Sequence, residues 1–117
     1  MSAEITIRAF LGDGERSFAL TDPMIAELER LTDTGIGAIY RRATAMQFHG
    51  SDLAHIIRLA LIGGGTSPQE AAQLVATWVE NRPYGETYPL ALDVLDARWN
   101  GVTPATADTQ TAEEASE

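Results

Sequence analysis

The sequence predicts a mainly α-helical domain with a short N-terminal β-hairpin, an α+β fold that closes as a small bundle of about five helices. Three observations predict it. Apolar and polar residues alternate only between Glu4 and Leu20, the period of half-buried strands. From Asp22 to Trp99 the apolar residues recur at helical spacing instead. The segment Ala60-Leu61-Ile62-Gly63-Gly64-Gly65-Thr66-Ser67-Pro68-Gln69-Glu70 places a helix stop and a helix start back to back.

The hairpin spans residues 4–20. Ile5, Ile7 and Ala9 alternate with Thr6 and Arg8, Gly12-Asp13-Gly14 supplies the turn, and Phe18 and Leu20 resume the alternation. A two-stranded hairpin is marginal alone, so its apolar face must lie on the helices that follow. The first helix starts at Asp22, read as the N-cap, with Pro23 in the first turn, and runs to about Leu31 with Met24, Ile25, Leu28 and Leu31 on one face. Thr32-Asp33-Thr34-Gly35 breaks it. A second helix carries Ile36, Ile39, Tyr40 and Ala43 to about Phe48, with Arg41 and Arg42 outward.

Ser51 is the expected cap of the third helix, with Asp52 in its first turn, where the helix dipole favours negative charge. Its buried face is Leu53, Ile56, Ile57, Ala60 and Leu61. Gly63 can end it in the left-handed conformation without a Cβ penalty. Gly64 and Gly65 complete the corner, and Ser67 caps the fourth helix with Pro68 in its first turn and Glu70 three residues on. That helix runs to about Asn81 and buries Ala71, Leu74, Val75, Trp78 and Val79; Arg82-Pro83 stops it. A fifth helix with Leu90, Ala91, Val94 and Leu95 inward, and Trp99 open between that face and a surface position, ends at Asn100-Gly101. Residues 1–101 thus read as one domain. Residues 102–117, with Val102 their one larger aliphatic residue and no aromatic, read as a disordered acidic tail.

Composition narrows the function. There are 17 acidic residues against 8 arginines and no lysine, for a net charge of −9. Four of the acids follow Gly101, so the domain itself keeps 13 acidic against 8 basic residues. This balance opposes binding to nucleic-acid phosphates and to anionic membranes. The chain has no cysteine, which excludes disulfides, thiolate metal sites and thiol chemistry. No positive region followed by an apolar run opens it, and no apolar stretch reaches about 18 residues, so the expected location is the cytoplasm.

Catalytic, cofactor-binding and metal-binding constellations are not found. The three glycines lack the preceding strand and following Lys-Ser/Thr of a phosphate loop. His49 and His55 straddle a helix start and do not share a face. Asp52 and His55 read as surface neighbours at i, i+3. Glu27 with Glu29, and Asp93 with Asp96, sit where the helical stripe predicts solvent, and Arg41-Arg42 reads as a solvated edge or as ion-pair partners of Glu27 and Glu29. The third and fourth helices around the glycine corner could be taken for a helix-turn-helix, but the first two turns after Ser67 hold Glu70 and no basic residue. Trp78, Tyr84, Tyr88 and Trp99 form the candidate partner-binding set. Trp78 lies on the apolar stripe; the other three lie near helix ends and turns, where core packing and a binding surface are both open readings.

The order of hairpin, Asp22-Pro23-Met24-Ile25-Ala26-Glu27-Leu28-Glu29, and Asp52 through Ala71 with its glycine corner resembles the gene transfer agent and phage tail family, whose members are labelled tail tube protein or tail assembly chaperone. The resemblance continues through Leu74-Val75 and Arg82-Pro83 to Leu90-Ala91-Leu92-Asp93-Val94-Leu95 and Gly101. It implies a non-enzymatic protein with no catalytic residues to carry over. Tube subunits are built on β-barrels that join into rings, whereas this chain offers about two strands, so the resemblance points to the chaperone. Such a helper is expected to bind tail tube or tape-measure protein in the bacterial cytoplasm and to be absent from the finished particle. The alternative is a structural tube component of the tail. A remote alternative is an acidic acyl carrier, although its Asp-Ser-Leu motif is here Ser51-Asp52-Leu53 and carriers lack a leading hairpin.

Overall fold

In the computed structural model, which describes residues 4–102, strands β1 (Ile7–Leu11) and β2 (Gly14–Phe18) precede helices α1 (Asp22–Thr32), α2 (Ile36–Thr44), α3 (Gly50–Gly63), α4 (Pro68–Trp78) and α5 (Tyr84–Asn100). This is the expected hairpin followed by five helices. Of the tail expected over residues 102–117, residues 103–117 lie outside the described residues.

The central element is α3. Leu53, Ile56, Ile57, Leu59, Ala60 and Leu61 are all buried, so it presents apolar residues to several neighbours at once. α1, α4, α5 and β2 pack around it. Leu28 from α1, Ile39 from α2, Ala71 and Val75 from α4, and Val94 and Leu95 from α5 complete the core. Each such aliphatic side chain contributes about 1.5–3 kcal/mol when fully buried.

The hairpin is antiparallel with Ile7 opposite Phe18 and Leu11 opposite Gly14. Among the described residues of its two-residue loop only Gly12 has positive φ (68°), the pattern of a type II′ turn. A side chain there would also overlap the Trp78 ring, which lies over the turn. Phe18 and Leu20 are fully buried, which supplies the support that the hairpin needs. Beyond β2, the Ala19 amide donates to Ala60 O at 2.9 Å.

The glycine corner works differently from the expectation. α3 continues through Gly63, Gly64 remains right-handed (φ −84°), and the positive φ is at Gly65 (115°). Gly63 and Gly64 are required by close approach instead: a Cβ on Gly63 would occupy the position of Ala19 O, and one on Gly64 that of Ser17 O. Ser67 caps α4 as expected, its Oγ accepting from the Glu70 amide at 3.2 Å.

Other boundaries move. Thr21, not Asp22, is the N-cap of α1, and Asp22 becomes its first residue. α2 stops at Thr44, and Met46 follows with positive φ (60°). His49, not Ser51, is the N-cap of α3, so Asp52 falls at the third helical position, where its carboxylate accepts the His49 amide at 2.9 Å. α4 ends at Trp78 and α5 starts at Tyr84, with Pro89 inside it. The two ends of the described chain meet: Glu4 and Val102 form an antiparallel bridge, so Val102 pairs with the domain. Nearby, Arg98 donates to Leu20 O at 2.9 Å and to Asp22 at 2.6 Å.

Candidate partner-binding surface

Three of the four candidate aromatics lie on one side of α5. Positions 84, 88 and 99 fall within about 60° of one another at 100° per residue, and they extend over about 22 Å of helix. Residues from α2 and from the segment after it face them. At one end Phe48 stacks on Tyr88 with centroids 5.3 Å apart and meets Tyr84 edge-on at 6.2 Å. The Tyr88 hydroxyl donates to Ala43 O at 2.9 Å, at the last turn of α2. At the other end Tyr40 stacks on Trp99 at 4.7 Å with 17° between the rings, and its hydroxyl donates to Asp96 at 2.5 Å. That hydrogen bond to a carboxylate, together with burial, raises the Tyr40 pKa.

These contacts tie α2 to α5 and still leave rings facing solvent. Tyr84 is 58% exposed and Trp99 55% exposed. Met46, in the segment that also carries Phe48, is 67% exposed. Tyr88 is half-buried and acts as a bridge between α5 and α2.

Trp78 stands apart from this set. It is half-buried against the core, covers the hairpin turn at Gly12, and has the Arg82 guanidinium 5.4 Å above its ring. Tyr40, Phe48 and Met46 are the members that the sequence reading did not select. Tyr40 read as part of the inner stripe of the second helix and Phe48 as its approximate end; α2 instead halts at Thr44, and Phe48, in the segment after it, stacks on Tyr88 of α5.

The charged groups also depart from expectation. Arg42 does not pair with Glu27 or Glu29. Its Nη2 and Nε donate to the two oxygens of Asp52 at 2.7 and 2.8 Å, and Asp52 is buried rather than a surface neighbour of His55. Burial opposes ionisation of Asp52, but the Arg42 and His49 hydrogen bonds outweigh it and hold the carboxyl below its usual range. Glu27 pairs with Arg30 on the same helix, and Glu29 accepts the Ile36 amide at 2.8 Å, joining α1 to the start of α2. Asp96 is partly buried under Tyr40, while Asp93 is exposed. Glu70, in the would-be recognition helix, faces Arg16 of β2 at 3.5 Å. Burial first, and then the Arg58 charge, lowers the pKa of His55.

Among the described residues no group of three or more His, Asp or Glu side chains is arranged to hold a metal ion. Nor is any helix there long and apolar enough to cross a membrane.

The family model described as phage tail tube protein, GTA-gp10 matches residues 4–101, from Glu4 ahead of the hairpin to the glycine after α5. The chain belongs to this family. Its role is therefore in a phage-type tail, and the match covers the hairpin, the glycine corner and both helices of the aromatic face. Comparison with curated proteins and with solved structures gives no match.

Proposed function

We propose that this member of the tail tube family acts as a non-enzymatic tail assembly chaperone. In this reading it holds tail tube or tape-measure protein in the bacterial cytoplasm and releases it as the tail is built. The observation that carries the proposal is the exposed aromatic face of α5. Tyr84 and Trp99 are each more than half exposed at opposite ends of a side that is otherwise stacked and hydrogen-bonded into place. Aromatic rings held by such packing lose little further freedom on binding and offer large apolar area, the properties of interface anchors. The helical make-up favours a helper over a wall subunit, because the one sheet among the described residues has two strands.

The mechanism is reversible coverage. An amphipathic helix or apolar surface of the client lies along α5 between Tyr84 and Trp99, shielded from aggregation until assembly displaces the helper. The acidic surface keeps the free helper soluble and discourages its self-association outside specific contacts.

The test is co-purification of tube and tape-measure protein with the wild type and with the double variant Tyr84→Ala/Trp99→Ala. Both rings are exposed, so the fold should survive. Loss of at least tenfold in recovered client, with an unchanged circular dichroism spectrum, is expected. Unchanged recovery from a folded double variant would place the client elsewhere.

A further inference from the structure

The two edges of the hairpin are not equivalent. The outer edge of β2 is closed, because Gly64 packs on Ser17 O, Gly63 packs on Ala19 O, and the Ala19 amide is bonded to Ala60. β1 touches α5, but among the described residues no backbone hydrogen bond is made along its outer edge. With Leu11 opposite Gly14, the residues that exchange hydrogen bonds within the hairpin are Leu11, Ala9 and Ile7. The amide and carbonyl groups of Arg8 and Phe10 consequently point outward, and among the described residues neither makes a backbone hydrogen bond beyond the hairpin.

Natural edge strands are usually blunted by proline, a bulge or an outward charge. β1 contains no proline, and its pairing with β2 runs without a break. Its one charge, Arg8, is drawn back over the hairpin onto Ser17 Oγ at 3.0 Å and Glu15 at 3.2 Å. Phe10 stands beside it at 73% exposed, the most exposed large hydrophobic residue among those described.

We propose that β1 is a self-association edge, where a second copy of this chain pairs antiparallel to extend each two-stranded sheet across a two-fold axis. Register selects this partner and its geometry. Pairing centred on Ala9 overlaps the whole of Ile7–Leu11 and sets Arg8 of each copy opposite Phe10 of the other, with backbone bonds at both pairs. Centring on Arg8 would oppose two like charges, and centring on Phe10 would run the partner into the Gly12 turn. In the Ala9 register each Phe10 ring lies along the aliphatic stem of the opposing Arg8, whose charge Glu15 already balances.

Charge points to the same face. Residues 7–18 hold Arg8, Arg16, Asp13 and Glu15 and are neutral, in a chain of net charge −9. Two copies can therefore approach at the hairpin without net like-charge repulsion. The contact is one short strand, about 17 Å long at 3.4 Å per residue, so the dimer is weak and forms only as concentration rises.

The test is sedimentation velocity of the full chain from micromolar to millimolar concentration, together with residue-resolved amide exchange at both ends of that range. A rise toward dimer mass is expected, with at least tenfold slowing of the Arg8 and Phe10 amides at high concentration while Ala9 stays protected throughout. Phe10→Lys, an exposed substitution that places a charge on the edge, should remain folded and monomeric. A monomer at every concentration would overturn the proposal. So would a dimer that survives Phe10→Lys, or one that leaves the Arg8 and Phe10 amides unprotected.

Discussion

Substituting Asp52 by alanine removes the acceptor of three short hydrogen bonds, two from Arg42 at 2.7 and 2.8 Å and one from the His49 amide at 2.9 Å. The Arg42 side chain is 18% exposed, so its charge is left largely desolvated with Thr34 Oγ1, at 3.3 Å, as the remaining side-chain partner. Breaking a buried pair in this way costs about 3–5 kcal/mol. Part of that overlaps with the helix-cap loss, itself about 1 kcal/mol. We therefore expect Asp52→Ala to lose about 3 kcal/mol, and Tm to fall by roughly 12–24 °C at about 4–8 °C per kcal/mol for a domain of this size. Urea and thermal unfolding followed by circular dichroism at pH 7 read both quantities. Asp52→Ala, Arg42→Ala and the double variant form a cycle, in which the double variant should cost clearly less than the sum of the singles. A loss below about 1 kcal/mol for Asp52→Ala, or strictly additive singles, would refute the assignment of this pair as the link between α2 and α3.

Further outcomes follow from the same packing. Gly64→Ala should cost about 1–3 kcal/mol, because its Cβ has no room beside Ser17 O, whereas Gly37→Ala, open on all sides in α2, should gain about 0.4–1 kcal/mol; equal effects in urea unfolding would dismiss the close-approach account. Gly12→Ala combines a φ of 68° with overlap of Trp78 and should lower Tm and shift the Trp78 fluorescence; an unchanged emission spectrum would contradict the placement of that ring over the turn. His55 has a folded pKa below its ordinary value of about 6.5, so the unfolded chain binds its proton first and stability falls as pH drops below about 6.5. Asp52 has a depressed carboxyl pKa, so its contribution is full above about pH 4 and disappears as pH falls through the lower folded value. His55→Gln should flatten the stability profile between pH 7.5 and 5.5 while leaving the loss below pH 4 in place; a wild-type slope in the upper range would count against the His55 assignment.

Much of the fold was legible because periodicity and capping agree along the chain. The change from alternation to helical spacing after Leu20, the Ser67-Pro68-Glu70 start and the apolar residues of α3 all correspond to observed elements. The errors share a cause, which is that long-range contacts decided them. Gly63 and Gly64 carry a glycine signal that suggests backbone conformation, yet the constraint is the strand lying against them. The fifth helix was legible from Leu90 onward, whereas its first turns, with Pro89 inside the helix, are held by contacts of Tyr84 with Phe48 and of Tyr88 with Ala43 O that no local signal carries. Asp52 and Arg42 each sit on a polar helix face in the sequence, and only the packing of α2 on the start of α3 turns those faces toward each other.

The candidate surface was partly legible for the same reason. Tyr84, Tyr88 and Trp99 were visible as rings at helix ends, but their grouping depends on Tyr40 and Phe48 arriving from α2 and the segment after it. Trp78, grouped with them by proximity in sequence, belongs to the hairpin side of the molecule.

The most direct test of the chaperone assignment is to express the tagged chain with its neighbouring tail genes and to quantify it by mass spectrometry in lysate complexes and in purified particles. The account predicts tube or tape-measure protein bound to it in the lysate and no stoichiometric copy in the particle. Recovery from particles in fixed proportion to the other tail proteins would contradict it and make the chain a structural part of the tail.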